Sequence, residues 1–207
     1  MGKYVKLICV FVVVFTFASS VLADETGGLF SGKAGSRKLE LKTERFSWRV
    51  EDGTEWVDRL FLKASFGVSE NDALGVKLGV PNGLYGKVQS KLDYFGLCYK
   101  RLLIKDPKNF SVALDCQLSK QTVVSNKTTG LQVDLILNKK IGELDLYAGP
   151  KIYNSNSSDN SYKSKTSGGL SLIGLFAGCN WQLNPYWSAN FEIDGMGNTS
   201  IGLGIGF

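Results

Sequence analysis

Eight charged side chains are the residues best placed to do chemistry in this chain: Lys63, Lys77, Lys100, Asp115, Asp134, Asp145, Glu192 and Asp194. Four of them have a large apolar residue on each side, as in Val76-Lys77-Leu78 and Phe191-Glu192-Ile193. That pattern suits ion pairing along one face of a sheet. Glu192 and Asp194 could form an acid/base pair, but two positions apart on a strand they point the same way and read better as part of a polar lining. The chain has 0 His. A Ser–His–Asp or Cys–His nucleophile therefore cannot be built. Zinc loses its commonest ligand, and Cys98, Cys116 and Cys179 lack metal-type spacing. Gly202, Gly204 and Gly206 lie inside a strand-like run and open no helix, so they form no phosphate loop. The expectation is a non-enzyme without cofactor or metal.

The elements that must position these charges are strands, because the apolar neighbours recur at every second residue. Leu60, Leu62, Ala64 and Phe66 share one phase; Leu74, Val76, Leu78 and Val80 follow after Ser69-Glu70-Asn71-Asp72, a turn signal. Phe95, Leu97 and Tyr99 precede Asp106-Pro107-Lys108-Asn109, and Val112, Leu114, Cys116 and Leu118 come after it. Leu131, Val133, Leu135 and Leu137 lead through Lys139-Lys140-Ile141-Gly142 to Leu144, Leu146 and Ala148. Residues 168–181 are apolar on both phases, and Trp187, Ala189, Phe191 and Ile193 follow Asn184-Pro185. With a weaker segment at Lys38–Trp48 and the terminal run, these make about ten strands, or eight if the weakest fail. Turns near Asp72, Pro107, Lys140 and Pro185 are short, and those near Pro81, Asn126 and Asn160 longer.

The terminal run Ser200-Ile201-Gly202-Leu203-Gly204-Ile205-Gly206-Phe207 alternates large apolar residues with Ser or Gly only. Its second face carries no charge and little bulk, which suits a strand between lipid and a crowded interior. At the other end, Lys3 and Lys6 precede an apolar run from Leu7 to Phe17 and small residues ending at Ala23, the pattern of a cleaved export signal. Residues 1–23 are thus read as a signal peptide, 24–37 as a flexible lead-in and 38–207 as the barrel. Removing Lys3 and Lys6 lowers the formal charge of +5 by two, too near neutrality for a nucleic-acid partner. Three Cys then remain, an odd number that argues against a disulfide framework; each reads as a small filler within a strand.

The terminal strand resembles the C-terminal strand of small bacterial outer-membrane β-barrels of the OmpA/OmpX-like group. The resemblance is one of pattern over nearly the whole mature chain. It implies an all-β, closed, antiparallel up-and-down transmembrane barrel in the bacterial outer membrane. It also implies outer-membrane lipid around the barrel, and the barrel-assembly machinery as partner through the C-terminal strand. The eight charges would then line the interior as a salt-bridged plug or, alternatively, a narrow passive channel for small solutes. Pairing Trp187 with Phe207, Phe191 with Leu203 and Ile193 with Ile201, and Trp181 with Trp187, would set Trp181, Trp187 and Phe207 at one height as an aromatic girdle. Pairing Leu97 with Cys116 and Tyr99 with Leu114 would set Lys100 and Asp115 side by side. The Asn- and Ser-rich stretch Asn154–Ser167 would face outward, either as an inert solvated loop or as the contact for a surface ligand. The rival for the whole chain is a secreted soluble β-barrel or sandwich that binds a ligand.

Overall fold

A computed structural model describes residues 34–50, 53–81, 94–105, 110–123, 126–158, 170–195 and 197–207. The proposed export signal, most of the lead-in, and residues 159–167 of the proposed ligand loop lie outside these. Ten antiparallel strands close into one barrel in simple neighbour order. They are β1 (Arg37–Val50), β2 (Gly53–Gly67), β3 (Asp72–Pro81), β4 (Tyr94–Lys105), β5 (Ser111–Val123), β6 (Asn126–Ile141), β7 (Leu144–Ser158), β8 (Leu170–Gln182), β9 (Trp187–Asp194) and β10 (Thr199–Gly206). Closure is made by β1 and β10, in register from Lys38 opposite Gly206 to Arg45 opposite Thr199. Phe207 continues the seam: its N–H donates to the carbonyl of Arg37 at 2.9 Å, and its carbonyl accepts from the N–H of Arg37 at 3.1 Å.

One end of the barrel carries the tight connections and is called the turn side below; the other is the loop side. Local chemistry sets each turn. Ser69 Oγ accepts from the N–H groups of Asn71 (3.2 Å) and Asp72 (3.0 Å). Gly142 takes φ 62°, which a two-residue hairpin needs and L side chains avoid. Asn184 Oδ1 accepts from the N–H groups of Tyr186 and Trp187, both at 2.9 Å. On the loop side the strands run further than the sequence periodicity suggests. β5 and β6 reach Val123 and Asn126, so the connection near Asn126 is short rather than long, and β7 carries pairing to Ser158 inside the proposed ligand loop.

Parity behaves as the alternation demands. Leu41, Leu74, Leu97, Leu118, Leu131, Ile152, Ile173, Phe191, Ile201 and Leu203 all point outward and are exposed; Leu203 is 52 % exposed and Ile173 81 %. The doubly apolar β8 resolves the same way, with Ile173, Leu175 and Trp181 outside and Phe176 and Asn180 inside. Cys116 and Cys179 fall on the outer phase, while Cys98 faces the interior.

Three expected registers are each displaced by two residues. Trp187 meets Ile205, Phe191 meets Ile201 and Ile193 meets Thr199. Trp181 meets Ala189 rather than Trp187. Leu97 meets Leu118 and Tyr99 meets Cys116. The connections differ from the expected length by two residues in the β8–β9 and β9–β10 hairpins, and between β4 and β5 a bulge at Leu102–Ile104 also shifts the register. A shift of two leaves every side chain on its own face.

Candidate functional site

The interior is the candidate site, built from alternate residues of all ten strands. The structure brings all eight predicted charges to this inner phase. Lys63, Lys100, Asp115, Asp134 and Glu192 line a common cavity. Lys77 and Asp145 are buried elsewhere on the inner wall. Asp194 stands at the loop-side end of β9, where its oxygens also accept from the N–H and Nδ2 of Asn198 at 3.0 and 2.9 Å. Lys100 lies directly opposite Asp115, nearer than the expected register would place it.

Sequence reasoning misses six more. Lys38, Glu40, Lys42 and Glu44 project inward from β1, Arg59 from β2 and Lys151 from β7. The signal was present in Lys38-Leu39-Glu40-Leu41-Lys42, a strict charge–leucine alternation. Of these fourteen side chains, six cations and two carboxylates lie on β1–β4, against one cation and five carboxylates on β5–β9. The lumen is charge-balanced as a whole but split across its width.

Toward the loop side the space is filled by two charge–aromatic assemblies. In the first, Lys77 pairs with Glu44 and stands over the Phe61 ring at 4.0 Å. Phe61 and Tyr94 meet edge to face at 4.9 Å, and Arg59 lies 5.6 Å from both rings. Arg59 Nη1 donates to Gln121 Oε1 at 3.2 Å, and Gln117 Nε2 donates to Tyr94 Oη at 2.6 Å. In the second, Lys151 reaches Glu192 at 3.4 Å and Asp194 at 3.7 Å and stands 5.1 Å over Phe176. Tyr147 Oη donates to Glu192 Oε2 at 3.2 Å. A charge taken from water is tolerable only with such partners.

Toward the turn side the wall residues are shorter, and a cavity of about 130 Å³ remains. Lys38, Glu40, Lys42 and Lys63 line it on β1 and β2, Lys100 on β4 beside Asp115, and Asp115, Asp134 and Glu192 on β5, β6 and β9, with Asn180 and Asn190 on β8 and β9. Lys38 holds Glu40 at 3.2 Å, and Gln132 Nε2 donates to Asp134 Oδ2 at 2.7 Å. The bare face of β10 makes room for lysine stems. A side chain begun at Gly202 would stand 2.5 Å from Lys42 Cγ, and one at Gly204 2.8 Å from Lys38 Cε.

On the outside, Trp181, Trp187 and Phe207 are exposed near the turn-side rim, with Phe66, Phe110 and Tyr186 at the same end. Below the apolar band Asp72 accepts from Tyr99 Oη at 2.6 Å and lies 3.9 Å from Arg101.

No family model and no curated protein matches the sequence. Solved structures similar to the chain include the translocator domain of autotransporter NalP from Neisseria meningitidis, at 12 % identity and TM-score 0.46, covering 89 % of this chain and 90 % of that one. Ail, the attachment invasion locus protein of Yersinia pestis, is 12 % identical at TM-score 0.32, covering 84 % of this chain and 99 % of its own. A loop-deleted OmpT, an outer membrane protein of Vibrio cholerae, is 9 % identical at TM-score 0.25, covering 83 % and 98 %.

Proposed function

We propose that this chain is an integral outer-membrane β-barrel with a structural or surface-interaction role, its lumen closed to solutes and free of catalysis. One observation carries the reading: large apolar side chains stand exposed on the outer face around the whole barrel. A soluble monomer rarely exposes more than a few hundred Å² of contiguous apolar surface, whereas a lipid-embedded barrel needs a continuous apolar band. The aromatic residues at the turn-side rim, with the Asp72–Tyr99–Arg101 cluster beyond them, support an edge of that band at this height. Partners on this reading are membrane lipid, the assembly machinery through β10 and Phe207, and a surface ligand of the loop spanning residues 154–167.

The loop-side assemblies, in which each ammonium has a carboxylate and an aromatic face, support the closed-lumen reading. Cell fractionation with an unboiled-versus-boiled gel tests the class. A compact detergent-resistant band in the outer-membrane fraction is expected, and a protein found only in the soluble fraction overturns the reading. Planar-bilayer recording tests closure: a silent bilayer is expected, and stable conductance steps would replace the plug with a channel. Deletion of residues 159–167 is expected to abolish surface-ligand binding while leaving the compact band.

A further inference from the structure

The turn-side cavity holds charges that the structure does not satisfy. Among the described residues Lys42 and Lys63 have no carboxylate within ion-pair distance, and Asp115 has no cation within it. Asp134 Oδ1 has no hydrogen-bond partner. Asn180 is only 2 % exposed, yet neither its Oδ1 nor its Nδ2 is bonded; Asn190 Oδ1 is unbonded beside it. Buried polar groups are nearly always paired, so this concentration calls for an occupant. The open valences are also ordered in space. Two ammonium groups lie on β1 and β2, two carboxylates on β5 and β6, and amides on β8 and β9 between them.

We propose that this cavity is a binding site for a small zwitterion, with the ligand's carboxylate toward Lys42 and Lys63 and its ammonium toward Asp115 and Asp134. A lone anion would answer the lysines and leave Asp115 unanswered; a lone cation would do the reverse. The Asn180 amide offers one donor and one acceptor, which suits a ligand carrying both kinds of group. Size fixes the class further. A cavity of roughly 150 Å³ takes a six-carbon ring, so about 130 Å³ accepts a molecule of about six non-hydrogen atoms. That is the bulk of the smallest amino acids. The inference goes beyond the membrane reading and does not depend on it, since it concerns only the interior.

The test uses the full barrel extracted in detergent, its folding checked for every variant by the unboiled band. Equilibrium dialysis with labelled β-alanine is compared with propionate and ethylamine, which each keep one of its two charged groups. Saturable binding of one β-alanine per chain is expected, with both single-charge compounds at least about tenfold weaker. Lys63→Met and Asp115→Asn are each expected to weaken β-alanine by about tenfold or more. If either fails to give the compact band, Asn180→Ala, which removes only the amide, is expected to weaken binding similarly. Absence of saturable binding by folded protein would mean that the cavity holds water only, and would overturn the proposal. Equal binding of propionate or ethylamine would overturn it in favour of a simple ion site. Failure of the membrane reading shows in fractionation and leaves the dialysis result standing.

Discussion

The two halves of the lumen are built from the same kinds of residue and end in different states. On the loop side Lys77, Arg59 and Lys151 stand against Phe61, Tyr94 and Phe176; Glu44 and Glu192 pair with the two lysines, and Gln121 accepts from Arg59. On the turn side Lys42, Lys63 and Asp115 face a cavity with no ion-pair partner among the described residues. The difference is width filled per strand. An aromatic ring reaches across a small barrel, narrows the distance a lysine must span and supplies a face on which it can rest. Asn, Asp and Ser reach too little, so the charges stay apart. In a barrel of this size bulk decides whether opposite charges become pairs.

The largest effect is expected from removing that bulk. Phe61→Ala with Tyr94→Ala takes out the edge-to-face pair and leaves Lys77 and Arg59 over empty space. Each such truncation in a packed core costs about 3–5 kcal/mol, so the urea midpoint of the folded barrel should fall sharply. The same variant should turn a silent planar bilayer into one with conductance steps. A variant that folds and stays silent would show that the aromatic pair is not the seal.

A smaller contrast comes from neutralising one carboxylate in each half. Glu44→Gln strands the Lys77 ammonium in a buried setting and should cost about 1–3 kcal/mol, because an uncompensated buried charge is expensive. Asp115→Asn removes no contact-distance pair, and less than about 1 kcal/mol is expected. Urea unfolding of both variants in one detergent measures the difference. The opposite order would mean that the cavity charges are coupled as tightly as the loop-side ones.

The fold was legible wherever a physical periodicity of two was left undisturbed. Ile201–Phe207 and Trp187–Ile193 alternate cleanly because one face meets a bulky requirement and the other a spatial limit, and these strands lie as expected. The eight lumen charges were legible for the same reason. Registers were not, since a displacement by two residues changes which rungs pair without moving any side chain across the sheet. β1 was obscured because its outward residues pass from Leu39 and Leu41 to Thr43 and Arg45 toward the loop side, so the apolar period fades while the strand continues. The aromatic filling was hidden by its own nature. Phe61, Tyr94, Tyr147 and Phe176 are apolar or nearly so, yet they sit on the phase that the charges mark as polar. Neither bulk nor cavity can be read from alternation, because both depend on neighbours several strands away.

Glycines give the finest probe of the same contrast, through a single added methyl group in each half. At Gly79, on the loop side, that methyl would stand 2.7 Å from Phe61 Cε1, 2.8 Å from Tyr94 Cβ and 2.9 Å from Arg59 Cδ. Tyr94 Cβ is fixed to its strand and the Phe61 ring is held by its partner, so neither can retreat without opening the assembly. Gly79→Ala is expected to cost about 1–3 kcal/mol, the usual range for overpacking. At Gly204, on the turn side, the closest atoms are Lys38 Cε at 2.8 Å and Ser188 Oγ at 2.9 Å. Lys38 Cε belongs to the far end of a flexible side chain beside the cavity, and Ser188 Oγ can turn away about a single bond. Gly204→Ala should therefore cost less than about 1 kcal/mol, and the lower entropy of the unfolded alanine chain offsets part even of that. Equal shifts of the urea midpoint for the two variants would mean that the turn-side half is packed as firmly as the loop-side half, and that its open space is not available to a moving lysine.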